Sequence, residues 1–159
     1  MVTETRRAEV LPWITTAARI VLAAILFWAG WAKVTEPPAL QKQAVEAYQL
    51  LPASLTGLVG YGLPVLEIVL AVLLLVGFAT RFVAIISAVL MAVFIGGIAS
   101  AWARGLSIDC GCFGGGGAVA KGQTKYLSEI IRDVVFLALA VWIARFPRSR
   151  ASVDGLLGI

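Results

Sequence analysis

Four stretches of the chain, residues 13–32, 57–78, 82–103 and 126–146, are predominantly apolar. Each is about as long as the 20 or so residues that a helix needs to cross the hydrocarbon of a bilayer. A soluble fold has no room for so many, since each would need an interior of its own. The composition agrees: 60% of residues are hydrophobic and 14% charged, where a soluble domain carries about a quarter charged residues, and mean hydropathy is +0.94. The expected fold class is all-α, a polytopic membrane four-helix bundle in one domain, residues 1–159, with the lipid bilayer as its first partner. The formal charge of +4 is accounted for by lysines and arginines in the connections, so no nucleic acid is expected as a partner.

The first stretch ends W-A-G-W-A-K at Trp28 to Lys33, an aromatic and lysine border of the kind found at a membrane interface. It is too long for a secretory signal and reads as a retained span. Between the first and second spans, Leu40, Ala44, Ala47, Tyr48 and Leu51 recur at helical spacing among Pro37, Pro38 and Pro52. They predict a short interfacial helix, with an ordered connector as the alternative. Only Ala79, Thr80 and Arg81 separate the second and third spans, which predicts a tight hairpin. In the third span Gly96 with Ser100, and Gly97 with Ala101, are spaced to let another helix approach closely. The tail from Pro147 carries Arg148 and Arg150, is otherwise small, and is expected to be poorly ordered.

Four crossings put both termini on one side. Arg6, Arg7, Arg81, Arg145, Arg148 and Arg150 fall on that side close to span ends, while Lys33, Lys42, Arg104, Lys121 and Lys125 fall opposite in longer loops. The bias predicts cytoplasmic termini in a bacterial-type plasma membrane, with the loop 104–125 extracytoplasmic. There disulfides form and persist.

That loop contains S-I-D-C-G-C-F-G-G-G-G, Ser107 to Gly117, and with it both cysteines of the chain, Cys110 and Cys112. Gly111 between them lets the backbone bend without a Cβ clash. A disulfide closing so small a ring stabilises little: the loop-entropy relation gives about 1.6 kcal/mol for three residues, before strain is subtracted. Strained, accessible disulfides are the labile or catalytic ones. Redox exchange is therefore the leading reading, ahead of a structural staple. The chain has no histidine, and two thiolates do not complete a tetrahedral metal site, so no metal is expected within one chain. The same absence removes the commonest general base and haem ligand. Arg104, Lys121, Lys125 and the start of the fourth span would favour a thiolate, and Asp109 would oppose one at Cys110. Gly114 to Gly117 read as a mobile element for docking or as a plain flexible linker.

Arg19, Glu67, Arg132 and Asp133 lie within predicted spans, where ionisable side chains are candidates for function. Counted at the helical rise, Glu67 stands about 15 Å and Arg19 roughly 20 Å from the outer ends of their spans, which predicts an Arg19–Glu67 pair. Arg132 and Asp133 stand about 9 to 11 Å below the outer surface. As sequence neighbours they point to different helix faces and call for different partners, Lys33 with Glu129 or Asp133 being one option. Ion pairs that fix helix register are the competing reading. Pro64 is placed to kink the second span.

Four groups of residues carry a family resemblance. They are Arg19 with A-G-W-A-K at Ala29 to Lys33 and the following Glu36-Pro37; G-L-P-V-L-E at Gly62 to Glu67; D-C-G-C-F-G at Asp109 to Gly114; and Arg132-Asp133. On these the chain resembles the DoxX-like superfamily, and within it the MauE-type (methylamine-utilisation) redox-associated membrane proteins. The resemblance implies a four-helix membrane protein that supports disulfide chemistry outside the cytoplasm beside a thioredoxin-fold or other dithiol partner. Analogy with membrane oxidoreductases of the DsbB and vitamin K epoxide reductase types adds a quinone as a possible cofactor. Those families relay electrons through further cysteines, whereas this chain has one pair.

The function expected is a membrane thiol–disulfide oxidoreductase. Cys110 and Cys112 would exchange, with Asp109, Gly111, Arg132, Asp133, Glu67, Arg19 and Lys33 supporting them. Two readings compete: a non-catalytic scaffold for redox proteins, and a small-molecule or lipid-binding bundle built on Arg19, Glu67 and Asp133.

Overall fold

The computed structural model describes residues 2–158; the side chains of Arg6 and Arg7, used above for sidedness, lie outside the described ones. Six helices follow in order: α1 Val2–Val34, α2 Pro38–Ala47, α3 Ala53–Val76, α4 Thr80–Ala103, α5 Tyr126–Arg145 and α6 Val153–Leu157. Two two-residue strands, β1 Ile108–Asp109 and β2 Gly117–Ala118, sit between α4 and α5. They pair antiparallel, Ile108 with Ala118 and Asp109 with Gly117. The fold is thus mostly helical rather than wholly so, because the cysteine loop is closed by a small hairpin.

Local signals set the element ends. Pro38 opens α2 at a position where its missing N–H costs nothing. Gly77, in the left-handed conformation at φ 70°, ends α3, and its N–H and that of Phe78 return to the carbonyl of Leu73. α4 begins on Ala79, which has no side chain to cap it. The cap comes instead from Asp154, whose carboxylate accepts the N–H groups of Ala79 and Thr80, both at 2.7 Å.

α1 packs along α3 and α4 along α5, with lighter contacts between α1 and α5 and between α3 and α4. Leu22, Leu26, Leu70, Leu74, Ala84 and Ile143 make the interior. Gly30 is the point of closest approach of α1 to α3: a Cβ there would stand 2.8 Å from the Pro64 carbonyl and 3.2 Å from the Glu67 Cβ. Beyond that crossing α1 has one turn left, whereas α3 has thirteen residues back to Ala53. At the helical rise α3 outreaches α1 there by roughly 14 Å. α2 covers the projecting part, its backbone at Gln41 lying against Gly60.

The outer surface is apolar. Trp13, Phe82, Trp28, Trp31 and Trp102 all stand more than half exposed, and Trp13 and Trp31 are separated along α1 by about 27 Å, close to a hydrocarbon thickness. α1 over Glu9–Val34, α3 and α4 are long and apolar enough to cross a membrane, and the molecule is an integral membrane protein. α5 falls outside that criterion because Glu129, Arg132, Asp133 and Arg145 lie within it.

Three expectations are corrected. The tail is not loose: α6 docks on the α3–α4 turn through Asp154, and the Arg19 guanidinium donates to Ser149 Oγ at 3.2 Å and to the Ala151 carbonyl at 2.9 Å. Arg19 is consequently not the partner of Glu67, which binds Lys33. Depth counted from flush span ends misled, because α3 overshoots α1. The small residues of α4 do not form a helix seam either, since Gly96 has open space beside it and Gly97 faces the Tyr48 ring.

Candidate functional site

The hairpin β1–β2 carries residues 110–116 as a compact knot. Gly111 holds φ at 67°, and a Cβ on it would lie 2.8 Å from the Cα of Gly116; one on Gly116 would lie 2.8 Å from the Ala44 side chain of α2. Gly116 therefore packs backbone on backbone against Gly111 and Gly114 lies against Glu36, while Gly115 and Gly117 have open space beside them, so the run is anchored at two points rather than a wholly free linker. The knot is tied from three sides. Tyr48 Oη donates to the Cys110 carbonyl at 2.9 Å. Asp109 Oδ1 accepts the Gly111 N–H at 3.0 Å. The Gly115 N–H donates to the Glu36 carboxylate. At its base Tyr126 of α5 accepts the Ile108 N–H at 3.1 Å and donates to the Leu106 carbonyl.

Both cysteines are free thiols and their surroundings differ. Cys110 Sγ accepts the Cys112 N–H at 3.3 Å and an N–H of the Arg132 guanidinium at 3.5 Å. Cys112 is 7% exposed, and its thiol points at Asp133 Oδ2, 4.0 Å away. A hydrogen bond from the Cys112 thiol, helped by Arg132 and opposed by burial, holds Cys110 below the ordinary thiol range. The same hydrogen bond and burial push Cys112 far up. The negative charge of the pair belongs on Cys110.

Arg132 and Asp133 do not seek separate partners. Arg132 Nε binds Asp133 Oδ1 at 2.9 Å, and the guanidinium lies 4.9 Å from the centre of the Phe113 ring. The cation at the thiols is Arg132 and not Arg104, Lys121 or Lys125: Arg104 donates to the carbonyls of Tyr48 and Ser100, and the two lysines are exposed.

Glu129, which the sequence offered only as a partner for Lys33, joins the candidate site. It is buried, its Oε2 has no hydrogen-bond partner among the described residues, and a carboxylate oxygen of it, one of Asp109 and Cys110 Sγ all lie within 4.8 Å of one another. Its spacing was visible: Glu129 and Asp133 share a helix face four residues apart, the face that carries Arg132 toward the loop. The three donor atoms could hold a cation, an arrangement that counting thiolates alone overlooked. Arg132 already brings its positive charge to the same sulfur.

Lys33 and Glu67 form a buried pair, Nζ to the two carboxylate oxygens at 2.6 and 2.8 Å. Gly30 makes it possible by letting α3 reach α1. Lys33 also lies 5.6 Å from the centre of the Phe94 ring. Lys33 lines the same cavity as the thiols, whereas Arg19 is on the α6 side, about 21 Å away along α1 at the helical rise.

A cavity of about 260 Å³ opens between α2, α3 and α4. Cys110, Gly111 and Cys112 form one wall, and Leu63, Phe94 and Lys33 lie among the others. The rest of the lining is mostly apolar, its polar side chains being Lys33, Glu36, Gln41 and Tyr48.

Residues 11–146 match the family model described as Methylamine utilisation protein MauE. No curated protein and no solved structure matches the chain.

Proposed function

This chain belongs to the MauE family of methylamine utilisation proteins, and from that premise we propose that it is a membrane thiol–disulfide oxidoreductase. Its Cys110–Cys112 pair exchanges with an extracytoplasmic dithiol protein, of which a thioredoxin fold is the expected form. The observation that carries the reading is the asymmetry of the thiols. Cys110 is partly exposed and bound by an arginine, while Cys112 is buried against a carboxylate. That is the division of labour an exchange pair needs, one sulfur to meet the partner and one to resolve.

In the oxidised pair, a partner thiolate attacks Cys110 Sγ. The S–S bond breaks, a mixed disulfide forms on Cys110, and Cys112 leaves and takes up a proton. Asp133, 4.0 Å from Cys112, is placed to carry it. The partner's second thiolate then attacks its own mixed-disulfide sulfur and frees Cys110 as a thiolate, stabilised by Arg132. The partner gains a disulfide and the pair ends as a dithiol.

The membrane arrangement that accompanies this function is four crossings. α5 turns Leu127, Ile131, Val134, Val135 and Val141 outward, all at least 47% exposed, and turns Glu129 and Asp133 inward. That pattern suits a lipid-facing helix despite its charges. With α5 as the fourth crossing, the arginines at span ends favour cytoplasmic termini and an extracytoplasmic cysteine loop. α2 would then lie at the interface.

Single-cysteine variants test the function. Cys112→Ser should hold a covalent adduct on Cys110, formed in the reverse direction when the Cys110 thiolate attacks the oxidised partner's disulfide and no Cys112 thiolate is there to resolve it, visible on a non-reducing gel from native membranes; Cys110→Ser should hold none. A protein lacking both cysteines that still co-purifies with its partners, and leaves their redox state unchanged, would mark a scaffold instead. A bundle built on Arg19, Glu67 and Asp133 has no observation in its favour, since these three residues bind three different neighbours.

A further inference from the structure

The cavity beside the thiols faces a problem that the exchange reaction leaves open. After each turnover the pair is a dithiol and must lose two electrons, and the chain has no further cysteine to pass them on. Resting on the exchange reading, we propose that the cavity between α2, α3 and α4 binds the ring of a lipid-soluble quinone, which accepts those electrons directly from Cys110 and Cys112.

Size, polarity, access and chemistry point to the same occupant. The volume of about 260 Å³ lies just below the range of roughly 300–1,000 Å³ that suits whole drug-sized ligands. It takes a substituted ring and leaves an isoprenoid tail outside. Its mouth is flanked by Leu50 and Val93, which stand 54% and 62% exposed on the apolar surface. Phe94, beside Val93, is level with the Lys33 ammonium of the last turn of α1. There Trp31 and Lys33 mark the edge of the apolar belt, so a tail leaving the mouth enters hydrocarbon while the ring stays at the interface. α3 and α4 pack only lightly on each other, which leaves the side entrance between them.

Of the polar side chains in the lining, Glu36 accepts the Gly115 N–H and Gln41 donates to the Glu36 carbonyl, which leaves Lys33 and Tyr48 to meet ring carbonyls. Two N–H bonds of Lys33 are held by Glu67, and the third remains for a carbonyl oxygen. The Tyr48 hydroxyl donates to Cys110, so its oxygen can accept from a quinol O–H. A flavin would bring a phosphate, and the one cation in this cavity is already neutralised by Glu67. A haem would lack histidine ligands and take one electron at a time. The reaction balances. The S–H bonds of Cys110 and Cys112 break, one S–S bond forms, and the two electrons and two protons released convert the quinone to its quinol.

The test uses the full-length protein in lipid nanodiscs, reduced, freed of reductant and kept anaerobic. The probe is ubiquinone-1, whose ring is fully substituted and cannot add a thiol. Its absorbance reports quinol, and intact mass reports loss of the two thiol hydrogens. One quinol per chain is expected together with oxidation of the pair. Val93→Trp, at the exposed mouth where folding is not at risk, should slow quinol formation by roughly tenfold or more, the factor that about 1.4 kcal/mol of lost binding gives. Leu63→Trp, inside the cavity, should do the same. A parallel arm offers the reduced protein oxidised glutathione. Thiols that exchange with glutathione but leave ubiquinone-1 oxidised would overturn the quinone site alone. Thiols inert to both would overturn the exchange reading with it. Quinol formed at the unaltered rate by both tryptophan variants would overturn the cavity as the place of reaction.

Discussion

Arg132 and Asp133 are neighbours in sequence, and neighbouring helix positions point about 100° apart, which is why separate partners were expected for them. The long arginine side chain defeats that geometry. It folds back along α5 to reach Asp133 with Nε and still extends Nη2 to Cys110. One guanidinium thereby connects the carboxylate that faces Cys112 with the sulfur that carries charge. Removing it should raise the pKa of Cys110, because the thiolate loses a cationic donor. We expect Cys110 alkylation by iodoacetamide, located by mass spectrometry, to rise with pH through a midpoint below that of an ordinary thiol. In Arg132→Gln the midpoint should move upward and the rate at neutral pH should fall. An unmoved midpoint would mean that Arg132 is a packing residue only. The cysteines were legible because two thiols one glycine apart have few uses. Glu129 was not, since its burial depends on how α5 turns beneath the hairpin.

At the scale of elements, hydropathy found the helices but not their relative heights. The first helix runs from Val2, well before Trp13, because helical hydrogen bonding continues past the apolar segment into the polar N-terminal residues. The start of α3 at Ala53 and the crossing at Gly30 then shift the helices against each other. Equal depth along two spans had predicted Arg19 with Glu67; the overshoot of α3 brings Glu67 to Lys33 instead. Their pairing is buried, with Glu67 side-chain exposure at 1%. Leaving one partner alone should cost about 3–5 kcal/mol, whereas replacing both by apolar residues of similar size should cost far less. Glu67→Ala is expected to lower the unfolding midpoint in detergent, and Lys33→Met with Glu67→Met to recover most of the loss. If single and double variants lose stability equally, the pair is not coupled. The hairpin and its glycine packing were out of reach of composition, which sees many glycines and cannot see that Gly111 lies on Gly116.

For the whole molecule, the asymmetry between its two ends is the main result. One end holds the thiols, α2, the projecting start of α3 and the cavity; the other holds Arg19, α6 and the α3–α4 turn. The class of membrane protein was legible from long apolar runs, since no other environment accommodates them. Which end faces the cytoplasm rests on a few positive charges. A membrane-impermeant maleimide applied to intact cells should label Cys110 after mild reduction, and should not do so without it. Labelling that requires broken cells would invert the orientation and remove the oxidising compartment the exchange needs. The other end has its own consequence, in time rather than space. α4 starts on an alanine and receives its cap from Asp154, 75 residues later in the chain. During synthesis the α3–α4 hairpin must therefore wait for this cap until Asp154 has been made. α6 and its lead-in act as a late clasp: a chain cut short before Ser149 would carry an intact thiol pair on helices whose far end was never closed.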